Sequence, residues 1–410
     1  MMIRQAFRYE LDPNDRQRTI LAKHAGAARF AWNWALARRI EKFQKNEGKA
    51  KFTNAVEQHR ELNLMKKTEF PWMYEVSKCA PQEALRNLDK AFRAFWKGRK
   101  KKKVGFPKFK KKGRDDAFRL TGRICVEEDG RHIRLPRIGS VRVKESTEKF
   151  RGRILSATVR READRWFVSL CVERERAEPV PVCGPTVGID LGLNCFAVLS
   201  DGSKIESPKA LEKNLERLRR RSKTHSRKRK GSNNRRKSAI RLARLHQKIR
   251  NLRIDAIHKA TTRLAKTKSV IVVEDLSVRN MMRNRYLARS ISDAGWVEFR
   301  RQLAYKCKWY GSELVVAPRN FPSTRRCSRC GVVGPRLDLS CRLFRCKACG
   351  FALDRDENAA RNLEWYGQFG RNLTPVESPP AVERALQARS TSRGSLKQEA
   401  NIVCPYGIDG

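Results

Sequence analysis

Residues 344–362 read FRCKACGFALDRDENAARN and set a pair of cysteines, Cys346 and Cys349, directly against a cluster of acids. Only Phe351 to Leu353 separate Gly350 from Asp354. Closed CxxC metal sites are usually structural, whereas clustered carboxylates do chemistry, so the fusion of the two calls for a common purpose. Upstream, Cys327 and Cys330 in CSRC precede CKAC by 15 residues. This C-x2-C-x15-C-x2-C spacing is that of a four-thiolate zinc ribbon. Each turn aims two sulfurs at one tetrahedral ion, and Gly331 and Gly350 suit the tight turns that follow. No coordination position is left open, so one structural Zn²⁺ is expected on Cys327, Cys330, Cys346 and Cys349, with Cys341 outside the set.

The acids divide by role. Asp354 followed three residues later by Glu357 fits a helix cap, which frees Asp356 on the first turn. Two further acids end apolar strands: Asp190 in VGIDLGL and Glu274 in VIVVEDL. Alone, each reads equally as a cap or a solvated residue. Together, brought to one edge by parallel or mixed strands, they form a hard oxygen cage suited to Mg²⁺. Two such ions would activate water and stabilise the leaving oxygen of a phosphodiester. Asp190, Glu274 and Asp356 are therefore the candidate catalytic residues and magnesium ligands.

Charge names the substrate class. The 410 residues include 92 Lys and Arg against 43 Asp and Glu, a formal charge of +49. Such an excess repels itself and works against compaction, so a polyanion should neutralise it. Nucleic acid is the first candidate and an anionic membrane surface the competitor. There is no apolar run of transmembrane length and no signal-peptide core after MMIRQAFRYE, which predicts a soluble, cytoplasmic, nucleoid-associated protein. Of 12 cysteines only four are in CxxC pairs, and the scattered remainder suits a reducing compartment.

The pattern along the chain predicts two to four domains. IRQAFRY (3–9) reads as a strand, and LDPND as a helix start with Asp12 as cap and Pro13 at the first helical position. Residues 11–102 look like a helical bundle, in which Leu85, Leu88, Phe92, Phe95 and Trp96 share a face. After the basic segment GRKKKKVGFPKFKKKG, alternating strands resume. With the first strand they predict a small β-barrel of residues 1–10 and 103–182, into which the helices are inserted. Core roles are expected there for Phe106, Phe109 and Trp166, ahead of base stacking. TVGIDLGLNCFAVLSDGSKI reads as two strands with a hairpin at SDGS. Two basic helices follow, the second marked by Leu242, Leu245, Ile249 and Leu252, and then strands alternate with helices in an α/β layer. Residues 371–410, rich in Pro, Ser and Gly, read as a disordered tail. The basic stretch 217–253 is the expected nucleic-acid contact of this half, led by Arg227, Lys228, Arg229, Lys230, Arg235 and Arg236.

In this order, VGIDLGLNCFAVLSDG, VVEDLSVRNM, SISDAGWVEFRRQLAYKCKWYG, CSRCG and CKACGFALDRDENAARN resemble TnpB, the transposon-encoded RNA-guided nuclease family related to type V CRISPR effectors. RFAWNWALA, SKCAPQEALRNLDKAFRAFWKG and GFPKFKKKGRDDAFRLTG are similar to that family's recognition and wedge regions. The resemblance covers about residues 3–365. It implies a wedge barrel, a helical recognition lobe, and an RNase H-like RuvC nuclease domain (183–325 and 351–370) interrupted by the zinc ribbon (326–350). It implies Asp190, Glu274 and Asp356 as the triad, a guide RNA from the transposon end, and double-stranded target DNA cut beside a short protein-read motif. Cleavage would displace the 3′ oxygen and leave a 5′ phosphate; the oligomeric state stays open, with a monomer favoured. The family's motif-reading Lys and Gln carry over to Lys78 and Gln82, whose one-turn spacing could present both to a groove; as bare residues they read equally as exposed helix positions.

Three rivals make distinct expectations. A guided binder that represses without cutting should have a damaged triad, and all three acids are present. An autonomous transposase should carry a tyrosine nucleophile beside a His-hydrophobe-His cluster, which the 6 histidines do not form. A generic basic RNA-binding protein leaves the acids unexplained.

Overall fold

The structure is a computed structural model that describes residues 1–45, 53–99, 104–148, 150, 152–338 and 341–370. The expected tail at 371–410 and residues 100–103 of the basic segment lie outside the described residues. The chain divides into two compact units, Met1–Ala177 and Glu178–Gly410.

The first unit begins with β1 (Met2–Leu11), followed by helices α1 (Asp15–Lys45), α2 (Ala55–Thr68) and α3 (Cys79–Arg99). Strands β2 (Ala117–Leu120), β3 (Cys125–Val126), β4 (His132–Leu135), β5 (Gly139–Arg142), β6 (Arg153–Glu162) and β7 (Arg165–Glu175) complete it. β1 pairs antiparallel with β7 along its whole length, from Met2 opposite Glu175 to Leu11 opposite Trp166. The strands make two sheets, ordered β1-β7-β6-β2 and β3-β4-β5, which meet at a bridge between Leu11 and Val143. Where a small β-barrel is expected, the strands form two ladders over one core, in which Leu11, Val141, Val143 and Leu170 are all buried.

Some local expectations shift. α1 starts at Asp15, and its cap is Asn14, whose Oδ1 accepts the Gln17 amide (2.9 Å) while Gln17 Oε1 accepts the Asn14 amide (3.1 Å). Asp12 instead uses its own amide to bond the Arg142 carbonyl, so the chain is still leaving the sheet there. In α3, Leu85, Leu88 and Phe92 are buried but Trp96 is exposed. Trp166 is a core residue, whereas Phe109 is exposed and Phe106, also exposed, packs edge-on against Phe92 and Phe95.

The second unit contains β8 (Val187–Leu191), β9 (Ala197–Leu199), β10 (Lys204–Ile205), α4 (Leu215–Ser226), α5 (Asn233–Thr267) and β11 (Val270–Glu274). Then come α6 (Val278–Met281), α7 (Ala288–Ala294), α8 (Trp296–Tyr310), β12 (Glu313–Ala317), β13 (Leu343–Arg345), β14 (Ala352–Asp354) and α9 (Arg355–Phe369). The stretch expected to hold two strands holds three, because β8 and β9 already form a hairpin before the turn at Gly202. The sheet is ordered β10-β9-β8-β11-β12; β8, β11 and β12 are parallel, while β9 is antiparallel to β8.

Strand alternation assigns the two faces. Val187, Ile189, Ile271 and Val273 point into a core with Ile257 and Leu264 of α5 and Phe299 and Leu303 of α8. Gly188 and Val272, of opposite parity, point at α9. An added Cβ on Gly188 would lie 1.9 Å from the Ala360 carbonyl, and one on Gly367 would lie 2.3 Å from Val272. Glycine at these two positions lets α9 rest almost backbone to backbone on the sheet, and buried Leu363 fastens it there, worth about 1.5–3 kcal/mol. Among the described residues, no helix is long and apolar enough to cross a membrane.

Candidate active site and basic cavity

The same alternation aims the acids. Asp190 shares the parity of Gly188, and Glu274 that of Val272, so both face α9. Val273 pairs with Ile189 in the parallel ladder, and one position further along stand Glu274 and Asp190, side by side. Asp356 sits in the first turn of α9, freed because Asp354 Oδ1 caps the helix by accepting the amides of Asp356 (2.9 Å) and Glu357 (3.2 Å). Glu357 itself turns to Arg361 (2.7 Å).

Asp190 keeps partial solvent access yet sits within dense protein. Burial, then the charges of Glu274 and Asp356, push its carboxyl well above the usual carboxylate range; Arg355 and the Leu191 amide oppose the shift. Burial likewise raises Glu274, against a hydrogen bond from the Ser323 hydroxyl. Among the described residues, neither Asp190 nor Glu274 has a cationic side chain within salt-bridge distance, while Asp356 lies 3.7 Å from Arg342 and 3.8 Å from Arg355. Like charges gathered under burial, two of them with no cation at salt-bridge distance, fit a divalent metal as the missing partner. Among the described residues, the ligand atoms of the four cysteines all lie within 4.8 Å of one another, whereas the three acids do not form so tight a group.

The cysteines converge tightly. Sγ of Cys327 lies 3.7 Å from that of Cys349, and Cys330 lies 3.6 Å from Cys346. A tetrahedral ion with Zn–S bonds of about 2.3 Å separates its sulfurs by about 3.8 Å, so the residues fit zinc. Both turns are built alike: the amides of Gly331 and Gly350 bond the carbonyls of Cys327 and Cys346, at φ of 83° and 70° that only glycine adopts easily. Cys341 points at the Leu343 carbonyl instead.

The fusion in residues 344–362 now has a structural account. The second cysteine turn is the tip of the β13–β14 hairpin, and β14 runs straight into the Asp354 cap and α9. The first turn is clamped to the same helix by two buried asparagines. Asn358 Nδ2 donates to the Arg326 carbonyl (2.8 Å), and its Oδ1 accepts the Ser328 amide (3.0 Å). Asn362 Nδ2 donates to the carbonyls of Ser323 (2.8 Å) and Arg326 (2.6 Å), and its Oδ1 accepts from Arg326 Nη1 (3.0 Å). Ser323, in turn, bonds Glu274. The sequence reading missed Ser323, Arg326, Asn358 and Asn362; the available signal was two asparagines four residues apart on the helix stripe that also carries buried Ala359 and Leu363.

The predicted nucleic-acid residues divide. Arg227, Arg229, Lys230 and Arg236 are exposed around the α4–α5 turn, and Lys228 is half-buried. Arg235 turns inward, and its Nη1 donates to the carbonyls of His225 (3.1 Å) and Lys228 (2.8 Å). In α5, Leu245 and Ile249 are buried but Leu252 is exposed. In the first unit, Lys78 is exposed and its carbonyl accepts the Gln82 amide (3.4 Å), one turn on. Lys78 lines a cavity of about 1170 Å³ with Lys66, Lys67, Arg123, Arg134 and Arg137; Gln82, half-buried, is not part of its wall.

Family models match in three places: residues 169–285 fit a "Probable transposase" model, 296–363 the TNB domain of Cas12f1-like proteins, and 1–49 a helix-turn-helix domain. A "Putative RNA-guided DNA endonuclease" of Streptomyces pristinaespiralis is 37% identical over 97% of this chain and 96% of its own length. The chain belongs to the TnpB family of RNA-guided DNA endonucleases. A second TnpB relative, from Escherichia coli (strain K12) and carrying the same name with the suffix InsQ, is 34% identical over 88% of this chain and 91% of its own length. The fold is also that of the protein in "Cryo-EM structure of the Cas12f1-sgRNA-target DNA complex", with a TM-score of 0.53 and 14% identity over 88% of this chain and 99% of that one. In this TnpB chain the segment matching the helix-turn-helix model holds, among the described residues, strand β1 and the single helix α1.

Proposed function

We propose that this TnpB protein is a Mg²⁺-dependent endonuclease that cuts double-stranded DNA chosen by a guide RNA from the transposon end, beside a short motif read by the protein. The observation that carries the reading is the convergence of Asp190, Glu274 and Asp356 under α9, where among the described residues neither Asp190 nor Glu274 has a cationic side chain within salt-bridge distance. The strand order β10-β9-β8-β11-β12, with acids closing its adjacent parallel strands, supports an RNase H-like RuvC domain over 183–325 and 351–370. The ribbon at 326–350 then braces α9 and the Glu274 loop. Residues 1–10 and 103–182 act as the wedge and 11–102 as the recognition lobe.

Two Mg²⁺ ions bound by the three acids would supply water activation and charge neutralisation at the leaving oxygen. The chain's own residues prepare that site. The Leu191 amide and the Ser323 hydroxyl orient Asp190 and Glu274, and the cap on Asp354 keeps Asp356 turned to the cluster. Exposed arginines and lysines of the α4–α5 turn attract the nucleic-acid backbone, and the cavity around Lys78 takes the duplex beside the target.

The test is to express the protein with its native downstream flank and sequence the RNA that co-purifies. A discrete RNA with a fixed scaffold and an end running into flanking DNA, directing cleavage of a matched plasmid, is the expected result. A heterogeneous mixture of cellular RNA, with no guided cutting, would sink the proposal.

A further inference from the structure

The start of α3 is held from outside the helix. The Ser77 amide donates to Nε2 of His24 (3.0 Å), and Nδ1 of His24 lies 2.8 Å from the Ile20 carbonyl. An amide can only donate and a carbonyl only accept, so the imidazole is the neutral Nδ1–H tautomer. The ring is 0% exposed and lies 5.1 Å from that of Phe118. Two further bonds fix the same turn: Ser77 Oγ accepts the Cys79 amide (3.4 Å), and Cys79 Sγ donates to the Thr121 carbonyl (3.4 Å).

A histidine is an unusual choice here. His24 stands in the buried stripe of α1 with Leu21, Ala25 and Ala28, where an aliphatic side chain would serve packing alone. Burying an imidazole is favourable only when both nitrogens are bonded, and here both are. What it gains is a grip on a backbone amide 53 residues away, directly before Lys78, which lines the basic cavity.

We propose that His24 is a positioning residue for target recognition: through the Ser77 amide it fixes how Lys78 enters the cavity, so that duplex DNA beside the target is read in one register. This rests on the reading of Lys78 as a contact to that duplex. His24 touches no DNA; it sets the geometry of the residue that does.

Two isosteres separate its two bonds. In His24→Asn the carboxamide reaches the position of Nδ1 and keeps the Ile20 bond, but falls short of Ser77. In His24→Gln it extends to the position of Nε2 and restores that acceptor. Each variant, and Lys78→Ala, is loaded with guide RNA and given a plasmid library with randomised bases beside a matched target. The same target with its strands held unpaired is cut in parallel, which bypasses duplex reading and corrects for folded fraction. We expect His24→Asn to broaden the accepted flanking sequences and cut the preferred duplex about tenfold more slowly, while the unpaired target is cut at the wild-type rate. His24→Gln should restore the wild-type spectrum. An unchanged spectrum in His24→Asn, or equal loss on duplex and unpaired targets, overturns the proposal while a changed spectrum in Lys78→Ala leaves the underlying reading standing. An unchanged spectrum in Lys78→Ala removes that reading, and the proposal with it.

Discussion

The carboxylate centre of the second unit and the basic cavity of the first are built on opposite plans. Around Asp190, Glu274 and Asp356, like charges are forced together by a rigid sheet and a helix that nearly touches it. Around Lys78, like charges spread along the wall of an open cavity of about 1170 Å³. The first arrangement suits small, hard cations at fixed points; the second suits a long polyanion whose phosphates can be met one by one. Chemistry tolerates little displacement and is placed on strands and a clamped helix. Recognition of a backbone tolerates more, and the proposed role of His24 would make it depend on one helix start being held in place.

Breaking the first centre should have the largest effect. Asp190→Ala is expected to lower guided cleavage by roughly a thousandfold or more while guide binding is kept. Near-wild-type cutting would remove Asp190 from the centre. Next, Cys346→Ser should release zinc and lower folded yield, since a structural zinc site contributes on the order of 10 kcal/mol of apparent binding energy to folding. Zinc content and thermal melting read this out, and full zinc occupancy with an unshifted melt would count against the ribbon.

Asn362→Ala tests how firmly the ribbon grips the helix. It leaves the Ser323 and Arg326 carbonyls and Arg326 Nη1 without this partner, and should destabilise the second unit by about 2–3 kcal/mol in denaturant unfolding. A loss well under 1 kcal/mol would mean the clamp is slack.

The units should also answer pH in different windows, each gaining stability as pH rises. Burial lowers His24 below its ordinary 6.5 in the first unit, so the unfolded chain binds the proton first on acidification. Its contribution is present above 6.5 and is lost as pH falls through the folded-state value. In the second unit, burial pushes Lys306 down to about 8 from 10.5, against the attraction of Glu298. Between those values the folded state has already released a proton that the unfolded chain retains, so stability rises with pH there. Lys306→Met should flatten that alkaline rise in a series of unfolding curves, and a rise that persists would reassign it. The smallest effect is expected at the α4–α5 turn: Arg236→Ala should reduce the salt dependence of nucleic-acid binding by about one unit of slope. Arg235→Ala should act mainly on helix-hairpin stability, and the reverse pattern would exchange their roles.

The sequence made the second unit more legible than the first. A strand-end acid carries its direction in the alternation of its neighbours, and a CxxC-Gly turn carries its own geometry, so Asp190, Glu274 and four cysteines could be read by inspection. Asp356 was separable from Asp354 because capping has a fixed spacing. Asn358 and Asn362 were not legible, since a helical asparagine ordinarily reads as surface and their partners lie 30 to 39 residues away. The joining of the first unit's two ladders at a bridge between Leu11 and Val143 is a long-range contact no local pattern encodes. His24 was visible only as a polar residue in an apolar stripe, and Arg235 only as one basic residue among many.

The placement of α9 has a consequence for synthesis. Asp190 and Glu274 leave the ribosome early, but Asp356 follows Glu274 by 82 residues. At about 5–20 residues per second, the interval is about 4–16 s. Throughout it the nascent chain displays an unfinished centre, uncovered on the sheet face that α9 will occupy. A chain released before residue 354 would lack both α9 and the third acid of the proposed centre.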